Sequence, residues 1–186
     1  MKMSSIRSHL RPYSIAGRRL TTINHAFASA IAPCETYDSD RVAQSIRDLG
    51  QNPKKELKCV YCGRPAKTWD HVYGLVKDRQ YSGYGHTLGN LVPCCPQCNE
   101  RKGGKEWSEF LRTTTRDKSK LKRKMAELES YFKKHPAKSI SLQQIQRLCP
   151  KEMRRLMTQQ RKIRTSMEEA DRIVKEIREK VRSRQS

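Results

Sequence analysis

Residues 57–107 read LKCVYCGRPAKTWDHVYGLVKDRQYSGYGHTLGNLVPCCPQCNERKGGKEW. Two cysteine pairs, Cys59 with Cys62 and Cys95 with Cys98, stand 32 residues apart in this stretch. Two thiolates separated by two residues suit a tight turn that brings both sulfurs to one ion. Four thiolates complete the closed tetrahedral set of a structural zinc site. Cys94 competes with Cys95, because Cys94 and Cys98 also reach one ion; the repeated two-residue spacing favours Cys95, leaving Cys94 as a small buried apolar residue. A redox role for Cys59 and Cys62 has no use for the second pair. A unit of about 50 residues this poor in apolar side chains needs such a staple.

Inside the stretch, Thr68-Trp69-Asp70-His71-Val72 reads as a short strand. A strand aims successive side chains to opposite faces, so one of Asp70 and His71 can hold a metal while the other meets substrate. Gly89-Asn90-Leu91-Val92-Pro93 leads into the second pair. Asn99 follows it, either as a helix N-cap or as an amide oxygen for Mg²⁺, a hard cation. Lys102, one turn later, either contacts phosphate or is a solvated helix lysine. His86 sits in a glycine-rich loop, either touching DNA or without a catalytic role. Trp69 and Trp107 are expected to pack the small core.

Taken together, CVYCG, WDHV and GNLVPCCPQCNERKGGK resemble the HNH endonuclease family, the ββα-metal nucleases, in the subfamily braced by two C-x2-C knuckles. The resemblance covers about residues 57–107. It implies His71 as general base, Asp70 as metal ligand, Asn90 as the middle Asn that holds the loop, and Asn99 as the last motif position. Many relatives have His there; this chain follows the H-N-N variant, which implies Mg²⁺ or Mn²⁺ on Asp70 and Asn99. The fold implied is α+β, a small zinc-stapled ββα core.

Outward from that core the chain is strongly basic. Lys plus Arg is 40 and Asp plus Glu is 19 in 186 residues, a net charge of +21. Such charge repels itself in a folded chain and is relieved by a polyanion, with nucleic acid the first partner to test. Hydrophobic residues are 35% and aromatics 6%, thin for one globule of this length. No apolar run approaches the roughly 20 residues that span a bilayer, which excludes an integral membrane protein. The seven cysteines are odd in number and clustered. That disfavours a secreted disulfide scaffold and points to a reducing, cytoplasmic compartment.

Composition suggests three regions: 1–55, a basic arm to about residue 20 and short helices; 56–112, the core; and 113–186, basic and helical. The N-terminal helices are expected at 21–33 and after the N-cap residues Ser39 and Asp40, with Val42, Ile46 and Leu49 on one face and Gly50 closing the end. The last region holds 22 Lys plus Arg against 9 Asp plus Glu. Helices are expected at 117–134, from Ser141 to Cys149, and from Pro150 onward. In the last, Leu156, Gln160, Ile163, Met167, Ala170, Val174, Ile177 and Val181 alternate spacings of four and three. Either this seam pairs with a second copy, giving a homodimer, or it packs back on its own chain.

The function expected is a Mg²⁺-dependent DNA endonuclease on mainly double-stranded DNA, of the restriction, homing or phage/defence kind. The alternative is a non-catalytic zinc-ribbon nucleic-acid-binding protein. An RNA-binding factor would need exposed aromatics for stacking on bases, which the sequence does not promise.

Overall fold

The computed structural model describes Met3, residues 6–78 and residues 80–185. Residues 1, 2, 4 and 5 of the expected arm lie outside the described residues. The chain is α+β and divides into two compact units. One joins the N-terminal stretch up to Phe27 with the chain from Gln146 onward; the other is Ala28–Ile145. The sequence drew its borders by composition at 55 and 112, whereas the structure groups residues by contact.

In the first unit, α1 (Ile6–His9) precedes α2 (Ile15–Ala30). The helix therefore begins well before residue 21, inside the stretch read as arm. Its local N-cap is Ser14, whose hydroxyl accepts from Gly17 N at 2.8 Å, and a carboxylate from far along the chain reinforces that end. Asp171 accepts from the amides of Ile15 (2.6 Å) and Ala16 (3.0 Å) and from the Ser14 hydroxyl (2.7 Å). These satisfy first-turn donors that lack helical partners and set a negative charge at the positive end of the helix dipole.

The second unit holds the cysteine-rich stretch. α3 (Ser39–Asp48) is capped by Asp38, whose side chain accepts from the amides of Asp40 and Arg41, so the cap lies one residue before the expected pair. Gly50 follows with φ +71°, the left-handed turn that ends helices cheaply at glycine. β1 (Thr68–His71) comes next, then a small hairpin of β2 (Val76–Lys77) and β3 (Gln80–Tyr81). A 3₁₀ turn, Leu88–Asn90, feeds β4 (Leu91–Cys94). β4 lies antiparallel to β1, with Asp70 opposite Val92 and His71 opposite Leu91. α4 (Pro96–Lys102) packs on β1 and completes a ββα unit.

α5 (Trp107–Thr114) and α6 (Lys118–Lys134) close the core. Phe110, Leu111, Leu128 and Tyr131 pack with Val72, Val92 and the buried cysteines. The core therefore extends past residue 112: α6 is part of it, not a detached basic tail. Lys124 of α6 is buried and donates to the carbonyls of Val60 (3.0 Å) and Tyr61 inside the first knuckle. At the far end of α6, Lys134 and His135 meet Asp48 of α3 at 3.1 and 2.9 Å. The two partners hold the Asp48 carboxyl down to about 2.

α7 (Leu142–Leu148) leads to α8 (Pro150–Ser183), which returns to the first unit. Its heptad seam meets α2 of the same chain. Gln160 donates to Asn24 at 3.1 Å, and Asp171 caps α2. Leu156, Met167, Ala170 and Val174 are half-buried, while Ile163, Ile177 and Val181 stay exposed. Within the first unit the seam residue Gln160 thus meets α2. Among the described residues no helix is long and apolar enough to cross a membrane.

Candidate active site and metal centre

The first knuckle is a tight turn in which Gly63 N donates to Cys59 O (2.8 Å) and Cys59 N to Arg64 O (2.7 Å), with Gly63 at φ +82°. The second runs into α4, where Cys95 is the N-cap and Cys98 lies in the first turn. The sulfurs of Cys59, Cys62, Cys95 and Cys98 all lie within 4.8 Å of one another. Tetrahedral zinc with bonds of about 2.3 Å needs sulfurs roughly 3.8 Å apart; Cys62 and Cys95 are at 3.6 Å. The residues fit zinc.

Cys94 is wholly buried outside this set. Its sulfur accepts from the Cys59 thiol at 3.9 Å, and its own thiol donates to the Cys95 carbonyl at 3.3 Å. Their hydrogen bond raises the Cys94 pKa and, despite burial, brings Cys59 down to about 4. Arg64 reaches Cys62 Sγ with Nε (3.4 Å) and Cys95 Sγ with Nη2 (3.7 Å), setting positive charge beside the thiolates.

β1 alternates as a strand should. Thr68 and Asp70 turn toward α4, and Trp69 and His71 toward the opposite face. Asp70 is 3% exposed. It accepts from the Tyr61 hydroxyl (2.6 Å) and is paired with Lys102 Nζ at 3.1 Å. Burial raises the Asp70 pKa against the pull of Lys102 and Tyr61. Lys102 is 1% exposed and also donates to the His71 carbonyl at 2.8 Å. It is neither a solvated helix lysine nor open to a phosphate in this arrangement; it bolts α4 to β1.

Asn99 lies within α4, not at its cap, and its Nδ2 donates to Thr68 Oγ1 at 3.3 Å. Asp70 and Asn99 carry the hard oxygen donors that Mg²⁺ or Mn²⁺ takes. The donor types fit such an ion, but the Lys102 ammonium now neutralises Asp70, and an ion would join only by displacing it.

His71 is half-buried at the end of β1. Burial first, then His86 and Lys102, push its pKa down to about 4, so the ring is neutral at pH 7. Its Nε2 faces His86 Nδ1 at 3.0 Å, a contact that sequence reasoning missed. Backbone bonds fix His86: its amide donates to Pro33 O (2.8 Å) and its carbonyl accepts from Glu35 N (3.0 Å). Asn90 is wholly buried and ties the surrounding loops together. Its Oδ1 accepts from Tyr73 N (2.8 Å), and its Nδ2 donates to the carbonyls of Tyr73 (3.0 Å) and Gly85 (2.9 Å). The loops on either side of the His71–His86 pair thus hang on one amide.

Of the two tryptophans, Trp107 is buried as expected, whereas Trp69 is 45% exposed, because the odd-numbered face of β1 is left open. No spacing rule announced Tyr61 as the Asp70 partner or His86 as the His71 partner. The only hint was that both lie within the motif-bearing stretch.

The family described as HNH endonuclease matches residues 59–105, about a quarter of the chain. Neither the curated proteins nor the solved structures give a match.

Proposed function

We propose that residues 59–105 form the catalytic unit of a DNA endonuclease that hydrolyses phosphodiester bonds with His71 as general base. The observation that carries this reading is the placement of His71. The ring stands neutral on the open face of β1, with Asp70 turned inward, Asn90 holding the adjoining loops and the cysteine cluster bracing the strand. The HNH match over the same residues supports it.

In this mechanism the attacking water takes the place of His86 beside His71 Nε2 and gives up its proton there. His86 Nδ1, which meets that nitrogen at 3.0 Å, would swing aside to admit the water. Lys102 keeps the His71 backbone in register with α4 through its carbonyl bond. A divalent ion on Asp70 and Asn99 would supply a Lewis acid to the phosphate oxygens. The +21 charge supplies phosphate neutralisation, so affinity should fall steeply with salt. Reducing, cytoplasmic surroundings would keep the cysteine cluster competent for metal.

The test uses His71→Ala on plasmid DNA, with and without added Mg²⁺ or Mn²⁺. Cleavage should fall by about 10²–10⁴-fold, with zinc content and DNA affinity retained. A variant that cuts like the parent removes His71 from the mechanism. No cleavage by the parent with any divalent ion favours the non-catalytic zinc-ribbon reading. Sequencing the ends separates a restriction or homing role, with discrete ends, from a non-specific phage or defence nuclease.

A further inference from the structure

The open face of β1 carries more than His71. Trp69 lies two residues earlier on the same face and is 45% exposed, so part of its indole is open to a partner. It forms a wall of two clefts. One, about 260 Å³, is bounded by Trp69, Tyr37, Val42, Leu88, Leu91 and His86. The other, about 280 Å³, lies against Leu57, Pro65, Ala66 and Pro93. The first is continuous with the candidate catalytic pair, since His86 both lines it and contacts His71.

The chemistry of the first cleft selects its occupant. Its lining is mostly apolar, and Tyr37, 79% exposed, adds a second aromatic ring. Its charged lining residues are acidic: Glu35, which accepts from Leu88 N at 3.1 Å and pairs with Arg41 at 3.5 Å, and Asp38, which caps α3. Carboxylates repel phosphate but accept hydrogen bonds from exocyclic amines of bases. On a chain of net charge +21, an acidic and aromatic hollow beside the reacting centre suits the uncharged part of a nucleotide.

We propose that Trp69 and this cleft seat one unstacked nucleobase of the DNA strand, stacked on the indole next to His71. The proposal rests on the endonuclease reading and deepens it by naming what the site grips. A base inside an intact duplex has both faces covered, so the seat takes a base that is flipped, frayed or single-stranded. Stacking on an aromatic side chain tolerates any base, so the seat positions the strand without naming a sequence.

The test uses the full-length, zinc-loaded protein and fluorescein-labelled oligonucleotides, one fully paired and one with an unpaired tract. Anisotropy gives affinity, and tryptophan emission reports the indole directly. Trp69→Ala should weaken binding of the unpaired DNA by about 5- to 150-fold, and Trp69→Phe by less than about fivefold. Saturating DNA should quench emission in the parent, and that component should be missing in Trp69→Phe. Unchanged emission in a parent that binds by anisotropy overturns the seat and leaves the nuclease reading standing. So does Trp69→Ala affinity within twofold of the parent's. Quenching without cleavage under any divalent ion keeps the seat and overturns the nuclease. No binding of either oligonucleotide overturns both.

Discussion

Lys102→Met tests the internal bolt of the site. The parent pair is sealed, with side chains 1% and 4% exposed and 3.1 Å between Lys102 Nζ and the Asp70 carboxylate. Water cannot take over as partner without opening the interface between α4 and β1. Methionine keeps most of the volume, so the loss is electrostatic. The Asp70 charge is left with Tyr61 as its remaining donor, and the His71 carbonyl loses a charged hydrogen bond. Removing one member of a buried pair costs about 3–5 kcal/mol. With a urea m-value of about 2 kcal/mol/M, the midpoint should fall by roughly 2 M. Adding Asp70→Asn removes the stranded charge and should recover at least half of the loss, so the two substitutions are strongly non-additive. Equilibrium urea unfolding of the zinc-loaded parent, both single variants and the double variant measures this. A Lys102→Met midpoint within about 0.3 M of the parent, or simple additivity, would refute the reasoning.

Cys62→Ser and Cys98→Ser should lose the bound zinc and unfold the second unit, because structural zinc contributes directly to folding; Cys94→Ser should keep one zinc per chain, read by metal analysis. The Asp48 carboxyl, held near 2, contributes stability that is fully present above about pH 4 and is lost as pH falls through its folded value; Asp48→Asn should flatten that acid limb in melting curves between pH 5 and 2. A Cβ on Gly85 would collide with the Pro33 carbonyl. Gly85→Ala should therefore cost about 1–3 kcal/mol and, by shifting the loop that carries His86, lower cleavage more than DNA affinity.

Residues whose partners are close in sequence or follow a repeated spacing were legible. Cys59, Cys62, Cys95 and Cys98 declare themselves by the x2 rhythm, and the β1 alternation follows from four residues. What stayed hidden depends on partners brought together by the fold. Lys102 read as a phosphate contact or a solvated lysine because its anion is 32 positions away and faces inward only once β1 pairs with β4. The membership of α6 in the core was masked by its lysines, although Leu121, Leu128, Tyr131 and Phe132 lie along the core-facing side. One of those lysines, Lys124, is itself buried there. The Asp171 carboxylate that reinforces the Ser14 cap of α2 stayed hidden for the same reason, since it lies 156 positions after Ile15.

That distant cap has a consequence for how the protein is born. On the ribosome α2 emerges early, yet Asp171 and the apolar side of α8 arrive after more than a hundred further residues have been made. At about 5–20 residues per second, the delay is several seconds or more. During it α2 lacks both the Asp171 carboxylate and its apolar partner, while Ala28–Ile145 is completed in the order in which it is translated. The first unit is therefore completed after the second, and a stalled chain would display α2 to whatever chaperone or neighbour is at hand.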